Sequence, residues 1–410
     1  LPGLLRRQVD VRVHLEERPP RGVAIRGGLK LQSGRQEALV GTELSHVNAL
    51  KRLWRVVFDA EVGAAVVGSE LSQIGSLRQL RTGPVADVAL DLVVPNLPFR
   101  NVETRFELGY EHTITEAFQT DRPSVSALAT LRPAPTLTLS GGYKLDFVVY
   151  RDLQIDPAEL ASFGAAPDVV DGRYRNAELQ SRMVWDTRND PFAPTRGQVV
   201  DLTLELAGTW LGGTSNYGGG QLELRGYRGL GIGADRPRRA LGLRRNVLVF
   251  AGRVGGGLLA PYGPANSAVV PVAERLYLGG TGSVRGWTFQ HLGPYVCAVE
   301  ESPCVSEANR QVGDGVDTVP IGGRVSTWAS VEVRRTFEAV RLVGFIDAGM
   351  VWPTLADVVT RRPLLSTGVG LRLLTPIGPV RADVAFRTDN PAEFRHLPRF
   401  WVHLGLGEAF

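Results

Sequence analysis

"NVETRFELGYEH", from Asn101 to His112, alternates without a break. Val102, Thr104, Phe106, Leu108 and Tyr110 fall on one face of an extended chain, and Glu103, Arg105, Glu107, Gly109 and Glu111 on the other. Successive side chains of a strand point to opposite faces, so the segment reads as a strand with one apolar and one charged surface. "GPVRADVAFR" (Gly378 to Arg387) sets Val380, Ala382, Val384 and Phe386 against Arg381, Asp383, Ala385 and Arg387. "QVVDLTLELAG" (Gln198 to Gly208) sets Val200, Leu202, Leu204 and Leu206 against Asp201, Thr203 and Glu205.

About sixteen such segments follow one another, the first over 22–32 and the last over 399–410. Strands of a soluble sandwich are commonly five or six residues long, whereas these run for about ten to fourteen, the length of a tilted strand crossing a bilayer. Apolar side chains then meet lipid and charged ones line a wet lumen, which explains inward carboxylates such as Asp87, Asp91, Glu103 and Asp383. An open sheet edge in hydrocarbon leaves backbone groups unpaired, so the sheet must close. The fold class expected is an all-β, antiparallel transmembrane barrel. Between the segments lie turns dense in Asp, Asn, Pro and Gly, such as "RNDPFAPTRG" and "RTDNPAEF". One connection, 259–322, is far longer than the rest.

Composition agrees with this reading. The 410 residues have a mean hydropathy of −0.03 and include 48 glycines. No apolar run approaches the roughly 20 residues of a membrane-spanning helix. The net charge of +4 is mild and its cations are dispersed, which argues against a nucleic-acid binder. No basic and apolar leader opens the chain. Residues 1–21 stand apart: "VDVRVHLEE" alternates and "RPPRG" reads as a stiff linker, so they are taken as the end of a soluble domain that begins upstream, with the barrel over 22–410. Cys297 and Cys304, in "CAVEESPC", suggest a loop-closing disulfide in an oxidising compartment, with two free thiols as the alternative. The six histidines are scattered, and neither H-E-x-x-H nor G-x-S-x-G occurs; no enzyme, metal or cofactor is expected.

The long connection holds "LYLGGTGSVRGWTFQHLGP", Leu276 to Pro294. By itself this is a glycine-rich loop with an incidental arginine, and it fits no phosphate-binding pattern. It nevertheless resembles the signature of the outer-membrane assembly barrels, the superfamily of BamA, TamA and the two-partner secretion transporters, whose loop after strand eleven ends in V-R-G-F/Y/W. "TRNDPFAPTRG", "GFIDAGMVW", "GVGLRLLTPIGPVRADVA" and "VHLGLGEAF" match further motifs in the same order, and the first 21 residues resemble the end of the POTRA domain that precedes such barrels. "VNALKRLW" keeps Asn48 but lacks the glycines of the family's turn between strands two and three.

The resemblance implies that the loop folds into the lumen, where Arg285 meets Asp347 and Glu332. Alternation allows it, since Asp347 shares a face with Phe345 and Gly349, and Glu332 alternates with Val331 and Val333. Arginine suits the role because its planar fork grips a carboxylate bidentately. Gly279, Gly280, Gly282 and Gly286 are expected to supply positive φ or close approach around Val284, with Trp287 packing on apolar lumen groups such as Phe345. The family also implies a weak seam between first and last strands, here softened by Gly27, Gly28, Gly405 and Gly407. Leu404, Leu406 and the terminal Phe410 resemble the signal by which outer-membrane proteins are recognised, and an aromatic there also suits the interfacial girdle. The implied function is insertion or translocation of client outer-membrane or secreted proteins in the outer membrane of a Gram-negative bacterium. Implied partners are the membrane's lipids and accessory lipoproteins or an inner-membrane-anchored TamB-like protein, with TamA slightly favoured over BamA. The alternatives are a passive porin and a two-partner secretion transporter.

Overall fold

A computed structural model describes residues 19–32, 34–68, 81–155, 160, 167–231, 247–297, 318–337, 339–375, 378–389, 391, 398–406 and 409–410. Residues 1–18, most of the segment read as a preceding domain, lie outside them.

Sixteen strands form one antiparallel sheet in which neighbours in sequence are neighbours in space. They are β1 (Arg21–Gln32), β2 (Arg35–Ala49), β3 (Trp54–Val67), β4 (Arg81–Pro95), β5 (Val102–Ile114), β6 (Gln119–Ala134), β7 (Leu137–Arg151) and β8 (Arg173–Asp186). Then come β9 (Arg196–Ala207), β10 (Tyr217–Gly231), β11 (Val247–Pro261), β14 (Val325–Phe337), β15 (Val340–Trp352), β16 (Leu364–Thr375), β17 (Gly378–Arg387) and β18 (Phe400–Leu406). Two short strands, β12 (Tyr295–Cys297) and β13 (Thr318–Pro320), pair with each other inside the connection from β11 to β14. The sequence-derived segments differ from these by a few residues at their ends; β6 begins at Gln119, ahead of the expected 124, and β18 stops at Leu406, short of the expected 410. The turn after β2, which lacks the family's glycines, puts Asn48, Leu50, Lys51 and Leu53 at positive φ, and the Asn48 side chain accepts the Leu53 N–H at 2.9 Å.

The outward face is apolar on strand after strand: Ile25, Val62, Leu108, Val125, Leu204, Val254, Ile346 and Leu371 are all exposed. A soluble protein does not present a continuous apolar belt, whereas a lipid-facing barrel must. Inward positions are polar and unevenly charged. Asp59, Glu61, Asp87, Asp91, Glu107 and Glu205 line β3 to β9, while Arg334, Arg372, Arg381 and Arg387 line β14 to β17. At the rim bearing the long connections, loops pack into an apolar cap that joins Phe118, Tyr150 and Tyr174 to Val272, Val296 and Ile321 of the β11–β14 connection.

Leu108 lies mid-strand on the lipid face and Glu107 beside it on the lumen face. Leu108→Arg should lower barrel stability in bilayers by about 2–4 kcal/mol, read as a loss of heat-modifiable electrophoretic mobility at lower urea, and Glu107→Gln should change it by much less.

Candidate lumen latch

The β11–β14 connection turns inward, and its arginine is buried completely. Arg285 Nε and Nη2 donate to the two oxygens of Asp347 at 2.7 and 2.8 Å, the bidentate geometry a guanidinium allows. Its backbone N–H donates to the same carboxylate at 3.1 Å. Nη1 donates to Glu332 Oε1 at 2.5 Å and lies 3.5 Å from Asp383 Oδ2, and Nη2 reaches Ser330 Oγ at 3.3 Å. The Phe345 ring lies under the guanidinium with its centroid 3.5 Å from Cζ. Burial alone would lower the arginine's pKa, but the charges of Asp347, Glu332 and Asp383 outweigh it and hold the group far above its ordinary range.

The acids are themselves held. Ser330 Oγ donates to Asp347 at 2.5 Å, Arg334 Nε donates to Glu332 at 2.7 Å, and Arg372 donates to Asp383 at 2.5 Å. Cations and anions thus alternate along Arg334, Glu332, Arg285, Asp383 and Arg372, a connected network in which a buried charge is tolerated. The loop's backbone is gripped as well: Arg253 donates to the carbonyls of Gly282, at 2.7 Å, and Ser283. His403 Nε2 on β18 lies 2.5 Å from the Arg285 carbonyl, which it can reach only as a donor.

The glycines around the arginine divide by role. Gly279 and Gly280 have φ of +116° and +92°, and a Cβ on Gly279 would fall 2.3 Å from the Thr288 carbonyl oxygen. Gly286 is needed for close approach, since its Cβ would meet that of Ser366 at 2.4 Å. Gly282 has neither requirement, against the expectation that all four did. Gly349 on the wall makes room for Val284, whose Cγ2 would lie 2.7 Å from an added Cβ. Trp287 packs with Leu278, Val284, Leu292, Met350 and Trp352; Phe345 belongs to a different contact, beneath Arg285, where its face meets a cation.

Further anchors lie in the same connection, and none was singled out in the sequence. Glu274 accepts from Arg122 at 2.8 Å and from the Tyr174 hydroxyl at 2.6 Å. Asp168 accepts from the Val272 N–H at 3.0 Å and the Tyr150 hydroxyl at 2.8 Å, and burial raises its pKa. His291 reaches Glu116 at 2.9 Å, and Arg35 at the start of β2 lies over Phe289, 5.6 Å from the ring centroid. Asp383 was read from its alternation as an inward carboxylate; that it faces Arg285 follows only from the barrel's register.

The seam has no ladder. β1 pairs with β2 along its whole length and β18 pairs with β17, but β1 and β18 share no paired residues among the described residues. A Cβ on Gly27 or Gly28 would meet nothing within 4 Å, and one on Gly405 would meet only the Arg381 side chain. Gly407 and Cys304 lie outside the described residues, so the proposed disulfide partner of Cys297 does too. Leu404 faces lipid, while the side chain of Leu406 lies outside the described residues. Phe410 does not join Leu404 at a girdle. Phe410 lies in the lumen, where its ring is 5.0 and 5.1 Å from the guanidinium carbons of Arg253 and Arg334 and near Tyr227. The physical reason is that two buried cations offer an aromatic face more than an interface does, and Arg334 also donates to the Phe410 backbone oxygen at 3.2 Å.

Arg285→Ala should leave Asp347 without its cation, lower the urea midpoint by an amount equivalent to about 3–5 kcal/mol, and open the loop to limited proteolysis. Among the glycines, Gly279→Ala should destabilise by more than about 1 kcal/mol and Gly282→Ala by less than about 0.5, measured by the same unfolding transition.

Residues 87–410 match the Omp85 superfamily domain. The outer membrane protein assembly factor BamA of Nitratidesulfovibrio vulgaris is 24% identical over 273 residues, 65% of this chain and 29% of the relative. The sorting and assembly machinery component 50 homolog of Bos taurus is 31% identical over 137 residues, 33% of this chain and 25% of the relative. The chain therefore spans under a third of the length of either. The crystal structure of BamA from Haemophilus ducreyi lacking POTRA domains 1–3 superposes with a TM-score of 0.68 at 17% identity, covering 95% of this chain and 69% of that one. With its sixteen staves, its latched inward loop and its matching domain, the chain belongs to the Omp85 superfamily of outer-membrane barrels.

Proposed function

We propose that this barrel assembles other proteins into, or passes them across, the outer membrane of a Gram-negative bacterium, and that it does so by lending its unpaired seam to client β-strands. The observation that carries the reading is the seam itself. Among the described residues of a sixteen-stranded sheet, fifteen junctions are hydrogen-bonded ladders and the junction of β1 with β18 is not. The free edge of β1 presents N–H and C=O groups to a medium that cannot satisfy them, and an incoming strand can, by adding to the sheet. Templating of this kind needs no catalytic residue and no cofactor. A passive pore gains nothing from an unpaired edge, and its lumen would not be spanned by a loop anchored on the walls from β2 to β18.

The relatives' names support the reading, since one is an assembly factor of the outer membrane and another a component of a sorting and assembly machinery. Clients with exposed strand edges are the proposed substrates. Accessory lipoproteins or a TamB-like partner would act through parts of the protein beyond the barrel.

Gly28 and Gly405 both lie on the lumen face of their strands. With Cys297 and Cys304 replaced by serine, Gly28→Cys combined with Gly405→Cys and joined by a flexible, reducible bismaleimide should slow insertion of a urea-denatured outer-membrane barrel into proteoliposomes to the rate of empty liposomes, and reductant should restore it. Full insertion activity by the cross-linked protein, verified by its mobility, would overturn the proposal.

A further inference from the structure

The lipid face of β9, β10, β11 and β14 carries a depression near the rim at which the chain enters and leaves the barrel. Gln198, Gly226, Gly252 and Val331 lie side by side across these four strands. The two central residues are glycine, and the result is a cavity of about 720 Å³ walled by Leu224, Phe250, Val254 and Val331. Neither glycine is demanded by the backbone. A Cβ on Gly226 would meet nothing within 4 Å, one on Gly252 would meet only the Ser330 carbonyl oxygen at 3.9 Å, and neither has a positive φ. Glycine inside a strand weakens it, so two adjacent glycines without a local cause are explained by the space they leave.

At the rim-side end of that space, Arg196 and Arg228 are direct cross-strand partners. Both are exposed and both point to the lipid side, Arg228 in phase with Gly226 and Arg196 with Gln198. Like charges directly opposite on a sheet destabilise it. Neither arginine forms an ion pair among the described residues, and the nearby acids are engaged elsewhere: Asp186 by Arg188, and Glu223, on the lumen face, by Arg225 and the Trp328 indole. The neighbouring position on β11 is Phe250, apolar and half-exposed, opposite Arg228. The site is thus a pair of opposed cations joined to an apolar trough on a surface that lies in a membrane.

We infer that this trough is a binding site for one anionic phospholipid, its phosphate bridging Arg196 and Arg228 and an acyl chain lying over Gly226 and Gly252. The anion removes the repulsion between the two guanidinium groups, whose planar forks suit phosphate oxygens. The acyl chain covers Val331 and Val254, which are 58% and 51% exposed because their glycine neighbours give them no cover. A soluble anion would satisfy the arginines but leave the trough without a purpose; a neutral lipid would fill the trough but leave the cations opposed.

Native mass spectrometry of the full chain released from detergent tests this. With phosphatidylglycerol and phosphatidylcholine of the same acyl length supplied together, the wild type should retain one phosphatidylglycerol with at least about fivefold preference. Arg196→Gln with Arg228→Gln should abolish the preference, Arg196→Lys with Arg228→Lys should keep part of it, and Gly226→Leu with Gly252→Leu should reduce retention of both lipids. Only variants with the heat-modifiable mobility of a folded barrel are compared. Should the double glutamine variant not fold, the leucine variant, which leaves both charges in place, decides alone. Equal retention of the two lipids by the wild type, a preference that survives in the glutamine variant, or unchanged retention in the leucine variant would overturn the inference, as would displacement of the lipid by millimolar inorganic phosphate.

Discussion

A guanidinium removed from water must be given back nearly everything water offered it, and that requirement organises the interior of this barrel. Arg285 has carboxylates of Asp347 and Glu332 on its donors, a third from Asp383 close by, a hydroxyl from Ser330 and an aromatic ring beneath it. Those partners come from three different strands, so the arginine can be accommodated only when β14, β15 and β17 stand in their final register. A one-residue slip in any of them turns its acid to the lipid side and leaves a buried charge uncompensated. The latch therefore specifies the register of the wall it binds, and the wall in turn specifies where the loop goes.

The alternation of the strands was legible at once, because period two with an apolar face over about ten residues has few other physical meanings. It placed strands at 101–113 and 378–388, where β5 runs from Val102 to Ile114 and β17 from Gly378 to Arg387, and it put Asp347, Glu332 and Asp383 on inward faces. Resemblance of the loop motif added the partner of those acids. What could not be read was whatever depends on two segments meeting across the lumen. His403 looks like one more alternating residue of the last strand, yet it meets the Arg285 carbonyl. Glu274, Asp168 and His291 are ordinary loop or rim residues until the cap is assembled. Phe410 departs from its expected place for a related reason: an in-phase count carries a strand forward indefinitely, while the Phe410 ring lies against a pair of buried arginines in the lumen.

The glycines show the same division on a smaller scale. Glycine in a motif invites one explanation for all its copies, but Gly279 and Gly280 serve a left-handed turn, Gly286 serves contact with Ser366, Gly349 serves Val284 from the opposite wall, and Gly282 serves none of these. The distinction lies in atoms contributed by remote strands, and no local pattern contains it.

The seam and the latch are one mechanical problem. Among the described residues no backbone ladder ties β1 to β18, so the sheet's own hydrogen bonds do not hold its two ends together there. The inward loop supplies a link from inside. It holds β18 through His403 on the Arg285 carbonyl and approaches the other end at the β1–β2 turn, where Phe289 lies under Arg35 and the space beside Gly34 is filled by Thr288. Both attachments lie within five residues of sequence, Arg285 to Phe289, on a segment pinned to the β14–β15 wall. Among the described residues the two ends are thus linked through side chains on a plug and not through a β1–β18 ladder. In the client-templating reading proposed above, the work of opening would fall on a few contacts at one place, and a client strand that satisfied the β1 edge would gain backbone pairing.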